Sequence, residues 1–268
     1  MGNKNTLMPK NILQEILTSV CMKLNRYFIM NNNTENKMTK SELQEKLTAL
    51  YLRLNGYFTT GFIIHSSKDT KVDGEIDVLG VRFSNHQQKD RVISCSKFLD
   101  IPKDSKIDLI IGEVKGGKEK LQFNKSLREN DDRRYKLLTW LGFINDNDIP
   151  KIDNELSEKI ATKKVNDSIT FERIDYQSDL GLISIRPIIF APDKLHPRKN
   201  QVKYIGGQTM LDFCLACFNP VKKRPTCETD YWSIDNWGEQ FESLVRYFKL
   251  IEKNKDVNMN ELYKHFKI

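Results

Sequence analysis

Asp77, Glu113 and Lys115 are the residues of this 268-residue chain whose types and spacing could do chemistry. Glu113 and Lys115 stand two apart in Ile107-Asp-Leu-Ile-Ile-Gly-Glu-Val-Lys115, a run that reads as a strand stopped by Gly116-Gly117. Side chains alternate along a strand, so residues two apart share one face, about 6.6 Å from each other. An acid and a lysine at the end of an apolar strand suit a divalent cation with an ammonium beside it better than they suit a core. Asp77 lies in the preceding predicted strand, Glu75-Ile-Asp-Val-Leu-Gly-Val-Arg-Phe83, where its carboxylate is expected to meet that of Glu113. Magnesium takes oxygen ligands and keeps several waters, so two carboxylates and a phosphate oxygen suffice for it. The chemistry expected there is polarisation of a phosphate and activation of a bound water. Lys115 would position or help deprotonate that water and offset charge building on the transition state.

The elements that must position these residues can be read in order. A helix is predicted from about residue 40, with Thr39 or Ser41 as cap and Glu42 and Glu45 in its first turns. Leu43, Leu47, Leu50 and Leu54 repeat at helical spacing, and Asn55-Gly56 stops the run. Tyr57 to His65 reads as a strand, followed by a turn over 66–71 and then the two strands that carry the acids. Between them, 84–106 is polar, with a hairpin-like stretch from Arg91 to Phe98. Helical signals follow at 126–140 and 154–163, strands at 167–174 and 180–190, and helices at 209–218 and 237–251. The last of these carries Trp237, Phe241, Leu244, Val245 and Phe248 on one face. This order predicts an α/β protein around a mixed sheet. Residues 1–37 stand apart and end in an Asn-rich linker. Leu13 to Phe28 repeats Leu43 to Phe58 at an offset of thirty positions, which is read as a partial duplicate of the first helix.

At this point the sequence resembles the PD-(D/E)xK nuclease superfamily, in its Mrr-like and Holliday-junction-resolvase-like arrangement. The residues that carry the resemblance are Glu45 in the helix, Asn55-Gly56-Tyr57-Phe58, Gly74-Glu75-Ile76-Asp77 and Glu113-Val114-Lys115, within roughly residues 40–140. Two departures stand out: the proline that names the motif is absent, and 36 residues separate Asp77 from Glu113. The resemblance implies a restriction-endonuclease-like α/β/α core over 38–268 with a central mixed sheet, preceded by the helical extension 1–37. It also implies Mg²⁺-dependent hydrolysis of DNA phosphodiester bonds, with Mn²⁺ as a substitute, in restriction and defence or in repair and recombination. Asp77 and Glu113 would be metal ligands, Lys115 the catalytic lysine and Glu45 an auxiliary acid and ligand. Glu42 competes with Glu45 for that place, and Glu15 of the duplicate is a third candidate. Gln122 is similar to a glutamine found after Glu-x-Lys in some branches. The alternative is a catalytically silent nucleic-acid-binding or assembly module.

Composition bounds these expectations. Hydrophobic residues make up 39% and charged residues 29%, with 14 Phe, 9 Tyr and 3 Trp to bury, which excludes disorder throughout. The longest apolar runs fall far short of the roughly 20 residues of a membrane span, and no signal peptide is visible. The net charge of +7 fits a polyanionic partner such as DNA. Arg128, Arg133 and Arg134 are candidates for a groove wall or, with Glu129, Asp131 and Asp132 interleaved, equally for a solvated face with helix ion pairs. A homodimer would suit cutting both strands, and a partner protein in a multi-component system is a further expectation. Five scattered cysteines read as reduced thiols in a cytoplasmic protein. Cys214, Cys217 and Cys227 lack a fourth ligand at zinc spacing.

Overall fold

Thr39 starts the first helix, α1 (Lys40–Leu54), through a reciprocal capping box. Its hydroxyl accepts the Glu42 N–H at 3.2 Å, and the Glu42 carboxylate accepts the Thr39 N–H at 3.3 Å. Leu43, Leu47, Leu50 and Leu54 are buried, as their spacing predicts. The helix ends at Asn55, and Gly56 turns the chain at φ +89°, where a Cβ would stand 2.4 Å from the His86 ring. The computed structural model describes residues 38–65, 72–86, 93–101, 103–117, 119–161, 171–195, 203–220, 234–252 and 255–268. The N-terminal repeat, its linker and Glu15 lie outside them.

Among the described residues, six strands form one mixed sheet: β1 (Phe58–His65), β2 (Val72–Phe83), β3 (Ile107–Val114), β4 (Ile174–Ser178), β5 (Gly181–Ala191) and β6 (Ile205–Gly206). Their order is β1-β2-β3-β5-β4, with β6 beside β5. β1, β2 and β3 pair antiparallel, β3 and β5 run parallel, and β4 returns antiparallel to β5. Among the described residues the further α-helices are α2 (Lys125–Arg128), α3 (Asp131–Leu141), α4 (Ile149–Ile160), α5 (Gly207–Phe218), α6 (Glu242–Leu250) and α7 (Met259–His265). Leu109 and Ile111 of β3 share a buried cluster with Leu137, Leu138, Ile152 and Leu156 of α3 and α4. On the α1 side, Gly80 of β2 faces Leu52, Tyr57 and Ile110. The chain is thus α/β, with helices on both faces of the sheet. No helix among the described residues is long and apolar enough to cross a membrane.

Several predicted elements move. The helix expected over 126–140 is two helices, because Asn130 leaves the helical conformation and caps α3, accepting the Arg133 N–H at 3.2 Å. Of the strand expected over 167–174, residues 167–170 lie outside the described residues; a strand stands at Ile174–Ser178, where a turn at Gly181 (φ +104°) folds it back on β5. Among the described residues of the expected 91–98 hairpin there is no strand; Ser96 instead donates its N–H to Asn55 Oδ1 at 2.7 Å, anchoring the segment to the end of α1. Trp237 belongs to a short 3₁₀ turn rather than to α6, and its ring meets Phe218 edge-on. Arg134 is no groove wall. It is buried and bonds Asp153 at 2.7 Å, clamping α3 to α4.

Candidate active site

The sheet opens where the acids lie. β2 and β3 pair in register from Phe83↔Ile107 to Val78↔Gly112. One step further the register sets Asp77 opposite Glu113, and there the ladder changes. The Val114 N–H donates to Asp77 Oδ2 at 2.6 Å instead of to the β2 backbone. The cause is local. Between Thr60↔Leu79 and Phe62↔Ile76, β2 spends two residues, Asp77 and Val78, against the single Gly61 of β1. Such a bulge increases twist and re-aims a side chain. β3 stays anchored on its other edge, where the Lys115 N–H donates to Phe190 O at 2.8 Å.

Lys115 and Glu113 share a face, as the period of two predicts. The Lys115 ammonium donates to Glu113 Oε1 at 2.5 Å and to Asn124 Oδ1 at 2.7 Å, with a Glu119 oxygen at 3.7 Å. Glu113 is 1% exposed and Lys115 7%, so this is a buried ion pair rather than a surface one. Asn124 went unnoticed in the sequence, where Gln122 drew the attention. Its only signal is its place just ahead of α2, in a segment that folds back on the end of β3.

Electrostatics tie the acids together. Burial first, then the negative charge of Asp77, pushes the Glu113 carboxyl up from 4.5 to about 7, against the pull of Lys115 and of the Asn124 N–H. Burial also raises Asp77; the Val114 N–H and Lys115 oppose it, while Glu75 and Glu119 add to it. Glu45 of α1 is half-buried and raised by burial, with the Ser41 hydroxyl opposing and Asp77, Glu75 and Glu42 adding. Asp77 is therefore the acid felt by both the helix acid and the strand acid. Glu42 is occupied by the capping box, which leaves Glu45 as the α1 acid facing Asp77.

Among the described residues, no three His, Cys, Asp or Glu side chains stand close enough together to hold a metal ion by themselves. The donor chemistry of Asp77 and Glu113 nevertheless fits a hard divalent cation. Both are oxygen donors, and burial raises the pKa of each carboxyl. Cys214 and Cys217 are buried in α5, and burial drives the Cys214 thiol well above its ordinary range, as befits a small apolar residue. Cys227 lies outside the described residues. Compared with protein-family models, curated proteins and solved structures, the chain matches none.

Proposed function

We propose that the chain is a metal-dependent nuclease that hydrolyses DNA phosphodiester bonds, built on a restriction-endonuclease-like core. The supporting observation is the placement of Asp77, Glu113 and Lys115 where β2 and β3 part, with the charge of Asp77 felt by Glu45 on α1. Asp77 and Glu113 would hold Mg²⁺ or Mn²⁺, with Glu45 beside them. When bound, the ion supplies Lewis-acid polarisation of the phosphate and a lower pKa for coordinated water. The chain's own part is positional. The Val114 N–H orients Asp77, and Asn124 and Glu113 fix the Lys115 ammonium. That ammonium would orient the attacking water, and its positive charge would offset the negative charge that builds on the phosphate oxygens. A cytoplasmic setting, in DNA restriction or repair, accords with this chemistry.

A second reading has its own observation. The Lys115 ammonium is already committed to Glu113 and Asn124, as suits a silent nucleic-acid-binding module that keeps the ion pair for structure. Calorimetric titration with Mn²⁺ of the protein and its Asp77→Ala variant separates the two when run beside cleavage of supercoiled, linear and single-stranded DNA. Metal binding lost in the variant, with metal-dependent cleavage, supports the nuclease. Salt-sensitive DNA binding without cleavage selects the module. Neither metal nor DNA binding overturns both.

A further inference from the structure

Asp193, just past the end of β5, gathers donors from three separate parts of the chain. Its Oδ2 accepts the Gly117 N–H, the Gln44 Nε2 at 3.1 Å and the Lys40 ammonium at 2.8 Å. Its Oδ1 accepts the Tyr263 hydroxyl of α7 at 2.6 Å, and Gln44 also donates to that hydroxyl at 2.6 Å. Gln44 is almost fully buried. The turn it meets is built for close approach. A Cβ on Gly116 would stand 2.6 Å from Gln44 Oε1, and Gly117 takes φ +52°. These bonds hold Asp193 ionised although it is partly buried.

The placement matters more than the strength. Gly117 is two residues beyond Lys115, and Gln44 directly precedes Glu45. The buried side chains of α1 hold the helix on the sheet along its length. At the site end of α1, Gln44 adds directional hydrogen bonds to that packing. We propose, resting on the nuclease reading, that Asp193 is a positioning residue. It locks the exit turn of β3 to the first turns of α1, so that Lys115 and Glu45 approach Asp77 from fixed directions, with α7 closing the lock through Tyr263.

The test compares Asp193→Ala, Asp193→Asn and Tyr263→Phe in the full chain by hydrogen exchange, thermal melting and steady-state DNA cleavage. Asp193→Ala speeds exchange over 40–46, 114–119 and 259–265 together, while the β2–β3 and β3–β5 ladders keep their protection. Asp193→Asn, whose amide oxygen still accepts the Gly117 N–H, restores most of the protection over 114–119. Tyr263→Phe loosens 259–265 and 40–46 and carries the test if Asp193→Ala unfolds globally. Turnover falls about tenfold to a hundredfold in Asp193→Ala with KM for DNA little changed, as expected of lost positioning. Exchange that rises in only one of the three segments, or uniformly across the domain in all variants, overturns the proposal. Linked exchange without any cleavage in the wild type keeps the lock and refutes the nuclease; cleavage without linked exchange does the reverse.

Discussion

Replacing Glu113 by Gln should change how stability depends on pH, by an amount the structure sets. The carboxyl stands at 4.5 when unperturbed and about 7 in the fold, raised by burial and by Asp77. Between those values the folded state binds more protons than the unfolded state, so stability falls as pH rises. The contribution is fully present below pH 4.5 and gone above about pH 8. The whole difference amounts to about 3 kcal/mol, of which about 2 kcal/mol is lost between pH 5.5 and 8.5. Burial raises Asp77 and Glu45 in the same direction. Glutamine keeps the shape and still accepts the Lys115 N–H, but it cannot ionise. Urea melts followed by tryptophan fluorescence, in EDTA at intervals from pH 5.5 to 8.5, should therefore show a shallower decline for Glu113→Gln, by about 2 kcal/mol across that range. Equal declines in both proteins would refute the reasoning, because Glu113 would then titrate as an ordinary solvated acid.

Mg²⁺ at ten times its Kd should stabilise the wild type at pH 7.5 by about 1.4 kcal/mol and leave Asp77→Ala unmoved, as read by thermal melts at fixed protein concentration. Asp108 in β3 is wholly buried and accepts from Arg186 Nε at 2.8 Å, with the Tyr57 hydroxyl beside it. Arg186→Met strands that carboxylate and should cost about 3–5 kcal/mol in urea melts, whereas Arg186→Met with Asp108→Leu should recover most of the loss. Gly112→Ala would put a Cβ 2.4 Å from Val78 Cγ1 and 3.0 Å from Phe190 Cε2, and should lower stability by about 1–3 kcal/mol.

What the sequence made legible was periodic or local. The leucines of α1 and the shared face of Glu113 and Lys115 follow from spacings of three to four and of two, which backbone geometry enforces, while the choice of Thr39 over Ser41 as cap is made by the fold. The helix break at Asn130 was hidden because a helical pattern continues across it, while one side chain decides to cap instead. The extent of β4 to Ser178 depends on pairing with β5, a partner that local pattern does not name. The contacts of Asp193 were invisible for a related reason. Gln44 lies 149 residues from Asp193 and 219 from Tyr263, and no spacing rule joins such distances. Arg134 shows the opposite failure: a basic residue among acids reads as solvated, yet it is the buried tie between two helices. Likewise Asp108 sits unremarked in an apolar run, because the arginine that makes its burial tolerable is 78 residues away.

The most direct test of the central claim is cleavage of supercoiled plasmid by the purified protein and its Lys115→Ala variant, with Mg²⁺ or with EDTA, after urea melts have shown both to be folded. The account predicts nicking or linearisation by the wild type only with metal, and loss of that activity in the variant. Metal-dependent cleavage that persists in folded Lys115→Ala would contradict it.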